Sequence, residues 1–147
     1  MGAAMWLPIA IMVFVVATLS VTLVLTTGWL SGWYQACRIW PWQGDLAVRR
    51  CPSARIMLVR VNWGLSVGVH EQGFAMKLFP LLRPGLDDIL VPWIDVVEVK
   101  RDAGLWGPVC RMHIRGWGDH YLPHWVLEEW EKAGSPVGPP LEEPLED

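Results

Sequence analysis

The chain has 147 residues, 52% of them hydrophobic and 18% charged, with 11 tryptophans and a formal net charge of −3. That length is one domain's worth with a little to spare, and the acidic balance argues against nucleic-acid binding. Three cysteines, Cys37, Cys51 and Cys110, have no C-x-x-C spacing, which argues against a disulfide framework and fits a reducing compartment.

From Met1 to Cys37 no side chain is charged, and Arg38 is the first that is. Within this stretch "WLPIAIMVFVVATLSVTLVLTTGWL", Trp6 to Leu30, rises about 1.5 Å per residue as a helix and can cross the ~30 Å hydrocarbon layer with some tilt. The pattern predicts one transmembrane helix over 6–30, with Pro8 in its first turn and Gly28 in its last. Trp6 at one end and Trp29, Trp33 and Tyr34 at the other form aromatic belts at headgroup level, an anchoring role that needs no ligand. There is no Lys or Arg before the apolar run, which is longer than the ~7–15 residues of a signal-peptide core, so a retained anchor is expected. Arg38, Arg49 and Arg50 follow the helix, which places the N-terminus outside and the C-terminal portion in the cytoplasm. Gly28 and Gly32, four apart, have a spacing that permits close approach of a second helix.

Residues 31–53 are expected to be a juxtamembrane segment. Its "RIWPWQGD", Arg38 to Asp45, lies along the membrane surface, where Trp40 and Trp42 join the interface anchors. From Arg38 to Arg115 there are eleven basic and seven acidic residues, and from Gly116 to Asp147 one basic and eight acidic. The positive half is drawn to anionic headgroups, with Arg38, Arg49, Arg50 and Arg55 as candidate contacts.

A mainly-β domain is predicted over 54–133. "RIMLVRV", Arg55 to Val61, reads as a strand ending at Asn62 and Gly64. Leu65, Val67 and Val69 alternate to the turn "EQG", Glu71 to Gly73, after which Phe74, Met76 and Leu78 are in phase. Arg83 to Leu86 has the Pro-Gly centre of a type II turn. In "DILVPWIDVVEV" the apolar phase breaks: Ile94 and Val96 alternate in one register, Val97 and Val99, read as facing in, in the other. A bend, bulge or single helical turn is therefore required around Trp93 to Asp95, with Pro92 at its edge. Cys110, Met112 and Ile114 then alternate with Arg111, His113 and Arg115. "HYL" is a last strand, and "HWVLEEWEKAG" a helix with Val126 and Trp130 on one face and Gly134 at its end. Residues 134–147 form an acidic, Pro-rich tail that reads as disordered.

The order "NWGLSVGVHEQGFAMKLFPLLRPGLDDILVPWIDV", with "VPW" its most specific element, resembles small bacterial single-pass membrane proteins of unassigned function that carry a pleckstrin-homology-like domain. The likeness covers roughly Arg55 to Asp102. It implies a seven-strand barrel or sandwich with a C-terminal helix, in the bacterial inner membrane, and it brings no catalytic residues. The hairpin Leu65 to Leu78, taken as the domain's first, carries only Lys77, so inositol-lipid recognition is not expected.

No catalytic or cofactor site is expected. Cys110, His113, His120 and His124 are metal-ligand types, but Cys110 and His113 fall on opposite faces of one strand. Ser66, His70 and Glu71 lack a nucleophile turn, and "GLWGP" lacks a P-loop's Lys. Trp63, Trp106 and Trp117 fall at turns and are candidate partner contacts. The expectation is a non-enzymatic, membrane-anchored accessory or scaffolding subunit. Its partners are the lipid bilayer and another membrane protein or multisubunit complex, for example a respiratory or photosynthetic assembly. The alternative is an anionic-lipid-binding module at the cytoplasmic surface.

Overall fold

The apolar run within the uncharged first quarter forms one helix, α1 (Trp6–Leu30), in a computed structural model that describes residues 6–80 and 86–138. The side chains of Thr27, Trp29 and Leu30 are outside that description, as are the Pro-Gly turn and residues 139–147 of the tail. The stretch Trp6–Thr26 is long and apolar enough to cross a membrane. Its hydroxyls are tied down: Thr18, Ser20, Thr22 and Thr26 donate to the carbonyls of Phe14, Val16, Thr18 and Thr22. Such back-bonding removes most of the cost of a hydroxyl in hydrocarbon. Every residue of 6–26 is exposed except Val24, which is half-buried.

At Gly32 the backbone turns through a left-handed conformation, φ 68°, into a short helix, α2 (Trp33–Ile39). Only glycine fits here: a Cβ would meet the Trp117 indole nitrogen at 2.9 Å in addition to the strained φ. Gly28 is pressed by the Tyr34 ring, where a Cβ would lie 2.8 Å from Cε2. Both glycines thus make room for the chain's own aromatic side chains.

Eight strands follow: β1 (Pro41–Trp42), β2 (Arg49–Ile56), β3 (Val59–Val69), β4 (Gly73–Leu78), β5 (Asp88–Pro92), β6 (Val96–Gly104), β7 (Gly107–Ile114) and β8 (Gly118–Pro123). They form one antiparallel sheet in the order β1-β5-β4-β3-β2-β8-β7-β6. The sheet is not closed, because β1 and β6 are edges; the barrel form of the sequence expectation is corrected to an open sheet. Six of the seven expected strands are present; the expected Arg55–Val61 is split by a turn, and both β1 and most of β2 come from the segment read as lying on the membrane. Helix α3 (His124–Lys132) buries Val126 and Leu127 and packs against β3, β6, β7 and β8, bridging the two halves of the sheet.

Two strand boundaries differ from expectation. The turn after "RCPSARI" falls at Met57 and Leu58, with Met57 at φ 51°, so Arg55–Val61 is not one strand. Strand β3 instead runs through Asn62 to Gly64, where it holds one more residue than β2 between the pairs Cys51↔Leu65 and Ser53↔Asn62. That bulge sets Trp63 at φ 57° and turns its ring outward.

The break at "VPWIDV" is a single 3₁₀ turn, Trp93–Asp95, between β5 and β6. It carries the chain from one half of the sheet to the far edge, and a second shift between Val96 and Glu98 leaves Val97 as the extra residue. Val96, not Val97, is buried, while Val99 pairs with Met112. The turn is held by the Trp93 indole donating to the His70 carbonyl at 2.9 Å and by Arg115 N donating to the Asp95 carbonyl at 2.7 Å.

Candidate interaction surfaces

The described tryptophans are buried, half-buried or exposed. Trp33, Trp40 and Trp117 are in the core, with Trp33 0% exposed. Trp117 centres the cluster, edge-on to Trp33 at 5.8 Å between centroids, tilted against Trp40 at 5.9 Å and edge-on to His120 at 4.4 Å. Its indole donates to the Ser31 carbonyl at 2.8 Å, and the Trp40 indole donates to Asp95 Oδ2 at 2.8 Å. These contacts correct three expectations: Trp33 and Trp40 are covered by protein and cannot anchor in headgroups, and Trp117 cannot meet a partner. They also correct the reading of 31–53 as an interfacial segment, since Trp33, Ala36, Cys37 and Trp40 of α2 and its C-cap are buried. Cys37 Sγ donates to the Asp87 carbonyl at 3.2 Å, and Leu90 N donates to the Trp40 carbonyl.

His120 is fully buried in this cluster, with one ring nitrogen 3.0 Å from the Gly118 carbonyl and Nε2 without a partner. Burial pushes its pKa down to about 4. The unfolded chain therefore binds a proton near pH 6.5 that the folded domain refuses until about 4. Stability is expected to fall as pH drops through that window, by at most about 1.4 kcal/mol per pH unit for one proton. Denaturant unfolding of the full chain in detergent between pH 7 and 4 checks this, and His120→Gln should flatten the slope.

Trp6, Trp63 and Trp106 are exposed, whereas Trp42 and Tyr34 are half-buried. Trp29 belongs to α1, but its side chain lies outside the described residues. Leu105 and Trp106 form the tip of the β6–β7 hairpin, 84% and 85% exposed. They occupy the end of β7 opposite to the one that meets Trp117, eight residues and so roughly 25 Å away.

Arg38, Arg49, Arg50 and Arg55 are exposed. Three of them lie over rings: Arg49 over Trp125 at 4.7 Å, Arg50 over Phe79 at 5.7 Å and Arg55 over Tyr121 at 5.0 Å. The domain's first hairpin is β2–β3, not Leu65–Leu78, and it carries Arg49, Arg50, Arg55 and Arg60. Strand register extends this into a row across the outer face, Arg60↔Arg55↔Tyr121↔Arg111↔Lys100. Like charges directly opposite each other are destabilising, so Arg55 beside Arg60 is not a packing choice. At the far end of the row Arg111 and His113 share Asp119, at 2.8 and 2.7 Å, and Lys100 pairs with Glu98. Burial opposes ionisation of Asp119, but the His113 and Arg111 hydrogen bonds prevail and hold its carboxyl below the usual range.

Strands β2 and β8 pair only at Arg55↔Tyr121 and Ile56↔His120, then diverge. The gap is an open cleft of about 450 Å³ that brings Ser53, Arg55, Arg60 and Tyr121 against Trp106 and Val109. The sequence named Arg55 and Trp106 separately; Arg60 and Tyr121 were missed, because only strand register reveals them as neighbours.

The metal-ligand types do not converge. Cys110 and His120 are in the core, His113 is outside on Asp119, and His124 lies by Arg101 and Glu128. Among the described residues no group of three or more His, Cys, Asp or Glu side chains is placed to hold a metal. All three cysteines are free and buried, and burial pushes Cys51 and Cys110 up to about 12 and Cys37 up to about 11. Such thiols are protonated and inert. Ser66, in β3, pairs with Lys77, while His70 and Glu71 sit at the next turn.

In comparisons with family models, curated proteins and solved structures, the chain matches none of them.

Proposed function

We propose that this chain is a single-pass protein of the bacterial inner membrane, N-terminus outside, whose cytoplasmic β domain is a non-enzymatic accessory or scaffolding subunit for another membrane protein. The observation that carries this reading is the cleft beside the β6–β7 tip. There an almost fully exposed Trp106 lines the same cleft as Arg55 and Tyr121, with Arg55 over the Tyr121 ring. Trp, Tyr and Arg around a concave site are the side chains that dominate protein interfaces, and two exposed apolar residues at a hairpin tip are costly in water unless something covers them. The partner segment that fits is apolar with a carboxylate for Arg55.

A pleckstrin-homology-like fold is part of the proposal. Its support is the order of the seven longer strands: β2–β5 form one meander, β6–β8 a second, the first strand pairs the last, and a helix follows. Domains of that kind are mostly binding or scaffolding modules.

The test is to purify the full chain from its native membrane at native abundance and identify what accompanies it by mass spectrometry. A stoichiometric membrane-protein partner supports the reading. A chain that runs free of any partner contradicts it.

A further inference from the structure

A second space lies where α1 passes the sheet. Leu23 and Val24 of α1, with Val61, Leu78, Arg60 and Asn62, line a cavity of about 210 Å³ between the helix and strands β3 and β4. On the reading of α1 as the membrane anchor, we propose that this cavity holds the upper part of one acyl chain of a glycerophospholipid, with its phosphate at Arg60.

The medium around Leu23 and Val24 decides what fills the cavity. Both lie within Trp6–Thr26, 21 residues that rise about 31 Å and so match the hydrocarbon layer. They stand within one turn of its edge, where the surroundings are lipid chains and not water. An apolar space open to that medium takes up hydrocarbon. The next layer outward is that of the phosphates, and the polar part of the lining is Arg60, Asn62 and Ser31.

The Arg60 Nε donates to Ser53 Oγ at 3.2 Å, which uses one of the five guanidinium donors. The remaining fork suits a phosphate, and among the described residues no carboxylate lines the cavity to compete. The flanks agree. Leu58 just before β3 is 77% exposed and Trp63 just after Asn62 is 62% exposed, with Phe79 also exposed. The stretch that lines the cavity is thus bracketed by large apolar side chains, which are stable in the interfacial layer and costly in water.

The test uses the full chain in phosphatidylcholine nanodiscs, doped with phosphatidylglycerol that carries a photoreactive diazirine in its acyl chain. Cross-links are mapped by mass spectrometry. The expected result is labelling of the β3 and β4 peptides around Val61 and Leu78, together with general labelling along α1. Arg60→Gln should lower the strand labelling about tenfold, the size of one lost charge-assisted hydrogen bond. Leu23→Trp, which fills the cavity from an exposed helix position, should lower it too. A diazirine fatty alcohol, which has no phosphate, should label α1 alone. Labelling of α1 without the strands would overturn the proposal, as would strand labelling that is equal for the two probes or unchanged by Arg60→Gln. An α1 that takes no label would overturn the anchor reading, and the lipid site with it.

Discussion

Replacing Trp117 with alanine is expected to lower the stability of the folded domain by about 3–5 kcal/mol, the usual cost of removing a large buried aromatic side chain. Three losses combine at this position. The ring leaves a void between Trp33, Trp40 and His120. The Ser31 carbonyl, in a buried residue, loses its indole donor. The third loss is the contact that ties the Gly32 turn to the β7–β8 connection. A domain of this size is stable by only ~5–15 kcal/mol, so the variant sits near the threshold of folding. Denaturant unfolding of the full chain in detergent measures the effect. Trp106→Ala, which removes an exposed ring, is the comparison and should stay within about 0.5 kcal/mol of the parent. Equal effects at the two positions would mean that Trp117 is not a core residue.

The double substitution Leu105→Ser with Trp106→Ser should act in the opposite sense: stability unchanged, partner association lost. Both side chains are almost fully exposed, so their removal costs the fold little. If Trp106 anchors the partner beside Arg55 and Tyr121, truncation costs about 2–4 kcal/mol of binding, or roughly 30- to 1000-fold in affinity. Quantitative co-purification from the native membrane reads this directly. A partner retained at full stoichiometry by the double variant would remove the hairpin tip from the interface.

Much of the architecture is written in local pattern. The uncharged run of α1, the alternation of Cys110, Met112 and Ile114 in β7, and the apolar face of α3 each answer to one periodicity, and each forms where that periodicity places it. The break at "VPWIDV" was legible for the same reason, because two alternating phases cannot join without an irregular residue between them. Its purpose was not. Asp95 accepts the Trp40 indole, and that pairing joins positions 55 residues apart.

The fate of α2 was hidden by composition. Trp33, Tyr34 and Trp40 beside an anchor helix have the residue types and spacing of a headgroup belt. Only the left-handed turn at Gly32, which aims α2 at Trp117, makes Trp33 and Trp40 core and leaves Tyr34 half-buried. Strand β2 was hidden by chemistry, since "RRCPSARI" has Pro52 in its middle and three small or medium inward residues, Cys51, Ala54 and Ile56. The outer cationic row and the cleft depend on pairing register between distant strands, which local pattern does not encode.

At the centre of this account, the segment leaving α1 is part of the β domain's core, so the domain is fixed to the end of that helix. Amide hydrogen exchange on the full chain in nanodiscs tests this most directly, over residues 33–40. The account predicts protection of the Ala36 and Trp40 amides, which donate to the Gly32 and Ala36 carbonyls, that is lost only with the global unfolding of strands β3 and β7. Exchange of this segment orders of magnitude faster than those strands, as for a helix resting free on the membrane surface, would contradict it.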